Sequence, residues 1–166
     1  MSVGFFQERG HTMVEGKDFQ RVYHRTWKSS MLIITFHKKE EKLFGKIYNM
    51  HIPYGIEYDD PGDMILKMDR IYDLLAYPES TYETRKWDDS KKWEGTILEN
   101  DNDWNYDPEL ADKINFDENG FVPAVIVETR YRQNGSWQGI MNAGGKKIPF
   151  RSSLEFLHLF MDYTGH

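Results

Sequence analysis

The residues best suited to chemistry lie in one run, Arg130-Tyr131-Arg132-Gln133-Asn134-Gly135-Ser136-Trp137-Gln138-Gly139. Strand alternation predicts that Arg130, Arg132 and, across a turn, Gln138 sit near one end of a hairpin. Guanidinium forks, an amide and the Trp137 ring on one face suit a carboxylate, a phosphate or a peptide backbone. The competing reading is an exposed strand face, with Trp137 packed in the core beside the C-terminal helix. Arg151, just before the helix-capping Ser152, either extends an anion site at that helix N-terminus or is a surface arginine.

Other chemistries find little support. The six histidines, His11, His24, His37, His51, His158 and His166, form no close ligand pair. His24 and His37 could face each other on adjacent strands, but no carboxylate spacing completes a metal motif. There is no Gly-x-Ser-x-Gly elbow, no P-loop and no dinucleotide fingerprint. Asn142-Ala143-Gly144-Gly145-Lys146-Lys147 resembles a phosphate loop but precedes a strand, so it reads as a turn. Cysteine is absent, which removes disulfide scaffolds, zinc ribbons and thiol nucleophiles. No cofactor or metal is expected.

The net charge of −6 disfavours direct nucleic-acid binding, which relies on Lys and Arg neutralising phosphates. Nine acidic residues and one basic residue between Glu94 and Glu118 carry −8, leaving +2 elsewhere. Such a stretch reads as a solvated connection. Alternatively, it is an acidic surface for a basic partner, with Asp101, Asp103 and Asp107 as contacts. Calcium is rejected because the central Gly and terminal Glu of an EF-hand loop are missing.

The elements that must position these residues are α+β. At 166 residues the chain fits one domain, expected over 19–166 behind a flexible segment 1–18. No apolar run approaches the roughly 20 residues of a membrane span, and the first residues lack a signal-peptide core. Strands are expected at Phe19–Trp27, Met31–His37 and Leu43–Met50 as a meander, with a charged turn at 38–42. Asp60, Pro61 and Asp63 start a helix whose apolar face is Met64, Ile65, Met68, Ile71, Tyr72 and Leu75, stopped by Pro78. Further strands are expected at Thr81–Trp87 and Trp93–Leu98, with a short helix from Asp107 to Ile114. A hairpin, Val122–Arg132 with Ser136–Asn142, turns at Gln133-Asn134-Gly135, and Lys146–Phe150 adds a strand. Ser152 and Glu155 form a capping box for a last helix with Leu154, Leu157, Phe160 and Met161 as its stripe and Gly165 at its end.

The two ends of the chain resemble each other. An offset of 92 pairs Tyr58 with Phe150, the caps Asp60 with Ser152, and Asp63 with Glu155. It also pairs Ile65 with Leu157 and Met68 with Phe160. Pseudo-repeats over 31–77 and 122–164, joined by the acidic connection 94–118, follow from this. A second echo, Glu83-Thr84-Arg85 before Trp93-Glu94-Gly95 against Glu128-Thr129-Arg130 before Trp137-Gln138-Gly139, is either a third hairpin of the same style or a coincidence of β-rich composition.

Arg132-Gln133-Asn134, Ser136-Trp137-Gln138-Gly139 and Phe150-Arg151-Ser152-Ser153-Leu154-Glu155 together resemble a signature in a family of uncharacterised bacterial proteins. In that family a Ser-Trp-Gln-Gly hairpin precedes a Phe-Arg-Ser-x-Leu-Glu helix. The resemblance implies a cytoplasmic bacterial protein and adds no catalytic residues. The expected function is a non-catalytic binding or interaction protein with an unknown protein partner, not a membrane. Alternatives are an acidic inhibitor of a nucleic-acid-binding protein and a small enzyme acting on an anionic metabolite.

Overall fold

A computed structural model describes residues 28–81, 116–117, 120–121 and 123–165. The expected N-terminal segment 1–18, the strands at 19–27, 81–87 and 93–98, and the helix at 107–114 lie wholly or almost wholly outside these residues. So does most of the acidic connection.

Six strands form one antiparallel sheet: β1 (Met31–Lys39), β2 (Lys42–Tyr48), β3 (Ile56–Tyr58), β6 (Ala124–Tyr131), β7 (Gln138–Ala143) and β8 (Lys146–Phe150). Their spatial order is β3-β2-β1-β6-β7-β8. A separate two-stranded ribbon pairs β4 (Phe116–Asp117) with β5 (Gly120–Phe121). Among the described residues β1 has β2 and β6 as its neighbours, and the short β3 pairs with the far edge of β2. Three residues are too few to show a period-2 pattern, so β3 leaves no signal of its own.

Two helices cover one face of the sheet: α1 (Pro61–Leu75) and α2 (Ser153–Thr164). Alternation directs Leu32, Ile34, Ile47, Val125, Val127 and Met141 to that side. They form one apolar core with Met64, Met68, Ile71 and Tyr72 of α1 and Phe156 and Phe160 of α2. The face of α1 agrees with its sequence pattern, Ile65 being half-buried at the edge. The stripe of α2 is rotated from the expected one: Phe156 is buried, whereas Leu154 is 60% exposed. Phe156 packs on Phe150 at 5.3 Å between centroids, and Phe160 meets Phe36 edge-on at 5.9 Å. Aromatic rings bury more area than leucine, so they set the helix phase.

The helix ends obey local chemistry. Asp60 and Ser152 are extended N-caps whose side chains accept from the Asp63 and Glu155 amides at 2.9 and 3.0 Å. The reciprocal half of the capping box is shifted by one residue in both helices. Asp63 accepts from the Asp59 amide at 3.1 Å, and Glu155 from the Arg151 amide at 2.7 Å. Each helix ends in a left-handed residue, Ala76 or Gly165, whose amide returns to the last turn. Asn134 and Gly135, with φ of 55° and 69°, make the expected tight turn, and Gly144-Gly145 make the next one.

Two glycines carry the packing between strands. Gly45 lies opposite Tyr58, and Gly139 opposite Phe150. Tyr58 donates its hydroxyl proton to the Thr35 carbonyl at 2.9 Å, and burial pushes that hydroxyl well above the ordinary phenol range. A Cβ on Gly45 would sit 2.0 Å from Thr35 O, and one on Gly139 would sit 2.1 Å from Glu128 O and 2.8 Å from the Phe150 ring. Backbone cannot yield to such contacts without moving the strand. Gly45→Ala and Gly139→Ala are each expected to destabilise the protein by roughly 1–3 kcal/mol. Urea unfolding midpoints check this, and wild-type midpoints for both variants would refute it.

Candidate functional site

The five candidate residues of the C-terminal half take three roles, and one backbone irregularity separates Arg130 from Arg132. Thr129 pairs with Gly139 and Tyr131 with Gln138, so Arg130 has no partner across the strand. This β-bulge shifts the alternation by one residue. Thr129 and Arg132 both turn towards the helices, while Arg130 and Tyr131 face outwards. Simple alternation instead places Arg130 and Arg132 on a common face.

Arg132 is consequently interior. Its guanidinium Nη2 donates to Asp69 Oδ1 at 2.9 Å and to Asp73 Oδ1 at 2.7 Å, with only 7% of the side chain exposed. Asp69 and Asp73 are one helical turn apart on α1, which brings both carboxylates to the same guanidinium. Trp137 is buried in the core against α1. Its Nε1 donates to the same Asp69 oxygen at 3.0 Å, and its ring meets Tyr72 edge-on at 5.5 Å. Tyr72 shares a 2.7 Å hydrogen bond with Thr129 and lies 5.9 Å from the Arg132 guanidinium carbon. Burial pushes the Tyr72 hydroxyl above its ordinary range, against the opposing effects of the Thr129 bond and the Arg132 charge. This cluster fastens the β6–β7 hairpin to α1.

Gln138 closes its own hairpin. Its amide nitrogen donates to the Gln133 and Arg151 carbonyls at 3.2 and 3.4 Å, and its oxygen accepts from the Gln133 amide at 3.3 Å. Arg151 is 89% exposed and pairs with Glu155 at 3.4 Å. The Arg151 amide, and secondly its guanidinium, hold the Glu155 carboxyl below the usual carboxylate range.

Arg130 is arranged differently. Its side chain is 53% exposed, and its one contact among the described residues is a loose 3.6 Å pairing with Glu128. It lines two adjoining cavities of about 440 and 500 Å³ that share Tyr77, Arg130 and Tyr131. The first is walled by the segment after α1, Pro78 to Thr81, which joins the end of β6 through a bridge between Ser80 and Arg132. The Thr81 amide donates to the Arg132 carbonyl at 3.2 Å. The second cavity adds Glu128 and Lys147. Tyr131 is 58% exposed. Together these residues form an open groove with two tyrosines, a guanidinium and an ammonium.

Sequence reasoning did not single out Tyr77, Tyr131 or Lys147 for this groove. Tyr131 was legible as an aromatic between two arginines, but its direction depends on the bulge. A second missed arrangement is the buried hydrogen bond of 3.1 Å between Ser29 Oγ and His51 Nε2. Asn49 binds the Ser29 and Met31 carbonyls and accepts from the His51 amide. Both Ser29 and His51 are buried, and neither lines the groove. This network ties the turn before β1 to the turn after β2. Asp101, Asp103 and Asp107 lie outside the described residues. Among the described residues no group of three His, Cys, Asp or Glu side chains is placed to hold a metal ion.

Two predictions follow from these contacts. Asp69 Oδ1 accepts two donors and Asp73 Oδ1 one, so Asp69→Ala should destabilise by about 2–3 kcal/mol and Asp73→Ala by about 1 kcal/mol. Denaturant unfolding followed by Trp fluorescence tests the ranking, and equal losses would refute it. For Glu155, a pKa lower in the folded than in the unfolded state stabilises the fold above the unfolded value. That contribution disappears as pH falls through the folded value. Glu155→Gln is therefore expected to lower stability at neutral pH and above, where the wild-type contribution is fully present, and to flatten the acid limb of a pH–stability profile within that window. An unaltered acid limb would contradict it.

Compared with known proteins, the chain matches no protein-family model, no curated protein and no solved structure. Its function is accordingly read from the geometry of the groove.

Proposed function

We propose that this chain is a non-catalytic binding protein that holds a protein partner in the groove around Arg130, Tyr131 and Tyr77. The observation that carries this reading is the contrast between two neighbouring arginines. Arg132 has two short bonds in the interior, whereas Arg130 is half-exposed, makes one loose 3.6 Å pairing with Glu128 and lines an open concavity. An exposed tyrosine beside a loosely paired guanidinium is a composition typical of binding hot spots, in which Tyr and Arg are enriched. Among the described residues, the lining supplies donors and aromatic faces.

The shared cap geometry of α1 and α2, and the matched positions of Gly45 with Gly139 and Tyr58 with Phe150, support a duplicated hairpin-helix unit as the origin of the fold. On this reading the two halves diverged in use: the second kept the Arg-rich hairpin, and the first supplies α1 as its anchor. A cytoplasmic bacterial setting, implied by the resemblance of the C-terminal signature, belongs to the same proposal.

The reading is tested by capturing partners from the native lysate on immobilised wild type, on an Arg130→Ala/Tyr131→Ala double variant and on Arg151→Ala. A stoichiometric protein should be retained by wild type and Arg151→Ala and lost from the double variant. Equal retention by all three would place the contact elsewhere and overturn the groove as the site.

A further inference from the structure

Resting on the binding reading above, we infer that the occupant of the groove is an acidic segment of a protein chain, its carboxylates taken by Arg130 and Lys147 and its backbone or an aromatic side chain laid against Tyr131. Four residues with side-chain donors line the groove: Tyr77, Arg130, Tyr131 and Lys147. Among the described residues, Lys147 and the hydroxyls of Tyr77 and Tyr131 make no hydrogen bond, and Arg130 has only its 3.6 Å pairing with Glu128. Donors not committed within the protein are available to acceptors of a ligand. A guanidinium fork matches one carboxylate bidentately, and the ammonium beyond it takes a second as a point charge.

The shape argues for a chain over a small ion. The two cavities lie side by side about the shared residues Tyr77, Arg130 and Tyr131, each large enough for several residues' worth of side chain. A single oxyanion would fill a small part of one. The groove's own carboxylates, Glu128 and Glu79, argue against a doubly charged phosphate, which both would repel. A segment with spaced single charges can place its carboxylates at Arg130 and Lys147 and its uncharged positions beside Glu79 and Glu128.

The test is an NMR titration of the full chain with three probes: a peptide of alternating Glu and Tyr, its counterpart with Gln for Glu, and inorganic phosphate. The Glu peptide is expected to shift the amide resonances of Arg130, Tyr131 and Lys147 saturably. Its affinity should weaken with added salt, and roughly fivefold in Arg130→Gln and in Lys147→Gln. Equal shifts from the Gln peptide, or an unchanged affinity in both variants, would overturn the inference. Saturation by phosphate with the Glu peptide silent would also overturn it, assigning the donors to a small anion. A silent Glu peptide beside a lysate partner that still depends on Arg130 and Tyr131 removes the acidic occupant and leaves the binding reading standing. Binding of the Glu peptide with no groove-dependent partner does the reverse.

Discussion

The buried guanidinium of Arg132 is the interaction on which the arrangement of this protein depends. A charge with 7% of its side chain exposed is costly unless it is paired and hydrogen-bonded. Here Asp69 and Asp73 provide the pairing from α1, and the same Asp69 oxygen also satisfies the buried Trp137 indole. These groups belong to opposite halves of the chain. The cluster therefore sets how the first-half helix sits over the second-half hairpin, beyond what non-directional apolar packing can specify. Tyr72 completes it by meeting Thr129, Trp137 and Arg132 at once.

The outward surface follows from the same commitment. Strand alternation alone would turn Arg132 to the solvent side together with Arg130. Burying Arg132 against α1 requires one extra residue in β6, and Arg130 is that residue. The bulge thereby exposes two consecutive side chains, Arg130 and Tyr131, at the end of a strand where the chain after α1 comes alongside. Interior electrostatics and the surface groove are thus two sides of a single irregularity. Bulges commonly serve this purpose at sheet margins, re-aiming side chains that a regular ladder would hide.

Small devices recur in the two hairpin-helix segments. Gly45 and Gly139 let aromatic residues of the third strand in each half lie against the sheet, and both helices begin with a polar cap answered by an acid three residues on. In each half that acid reaches the amide before the cap, a variant that holds the chain's entry into the helix. Lys38 adds a contact between the first half and the end of α2 through the Gly165 carbonyl.

Much of this was legible from local chemistry. Caps, stops and tight turns depend on a few adjacent residues, so Asp60-Pro61, Ser152-x-x-Glu155, Asn134-Gly135 and Gly144-Gly145 marked their elements directly. Helical spacing in α1 marked its buried face, because five apolar side chains recur on one side. By itself the sequence determined the α+β class, both helices, the C-terminal hairpins and the cluster of arginines beside Trp137. Only the tertiary structure decided what each arginine does. The phase of α2 was set by contact of Phe156 with Phe150, and β3 exists because β2 offers it an edge. The separation of Arg130 from Arg132 required a partner helix carrying Asp69 and Asp73, some sixty residues distant in the chain. A bulge is a compromise between strand pairing and such a remote contact, and spacing within one strand carries no record of it.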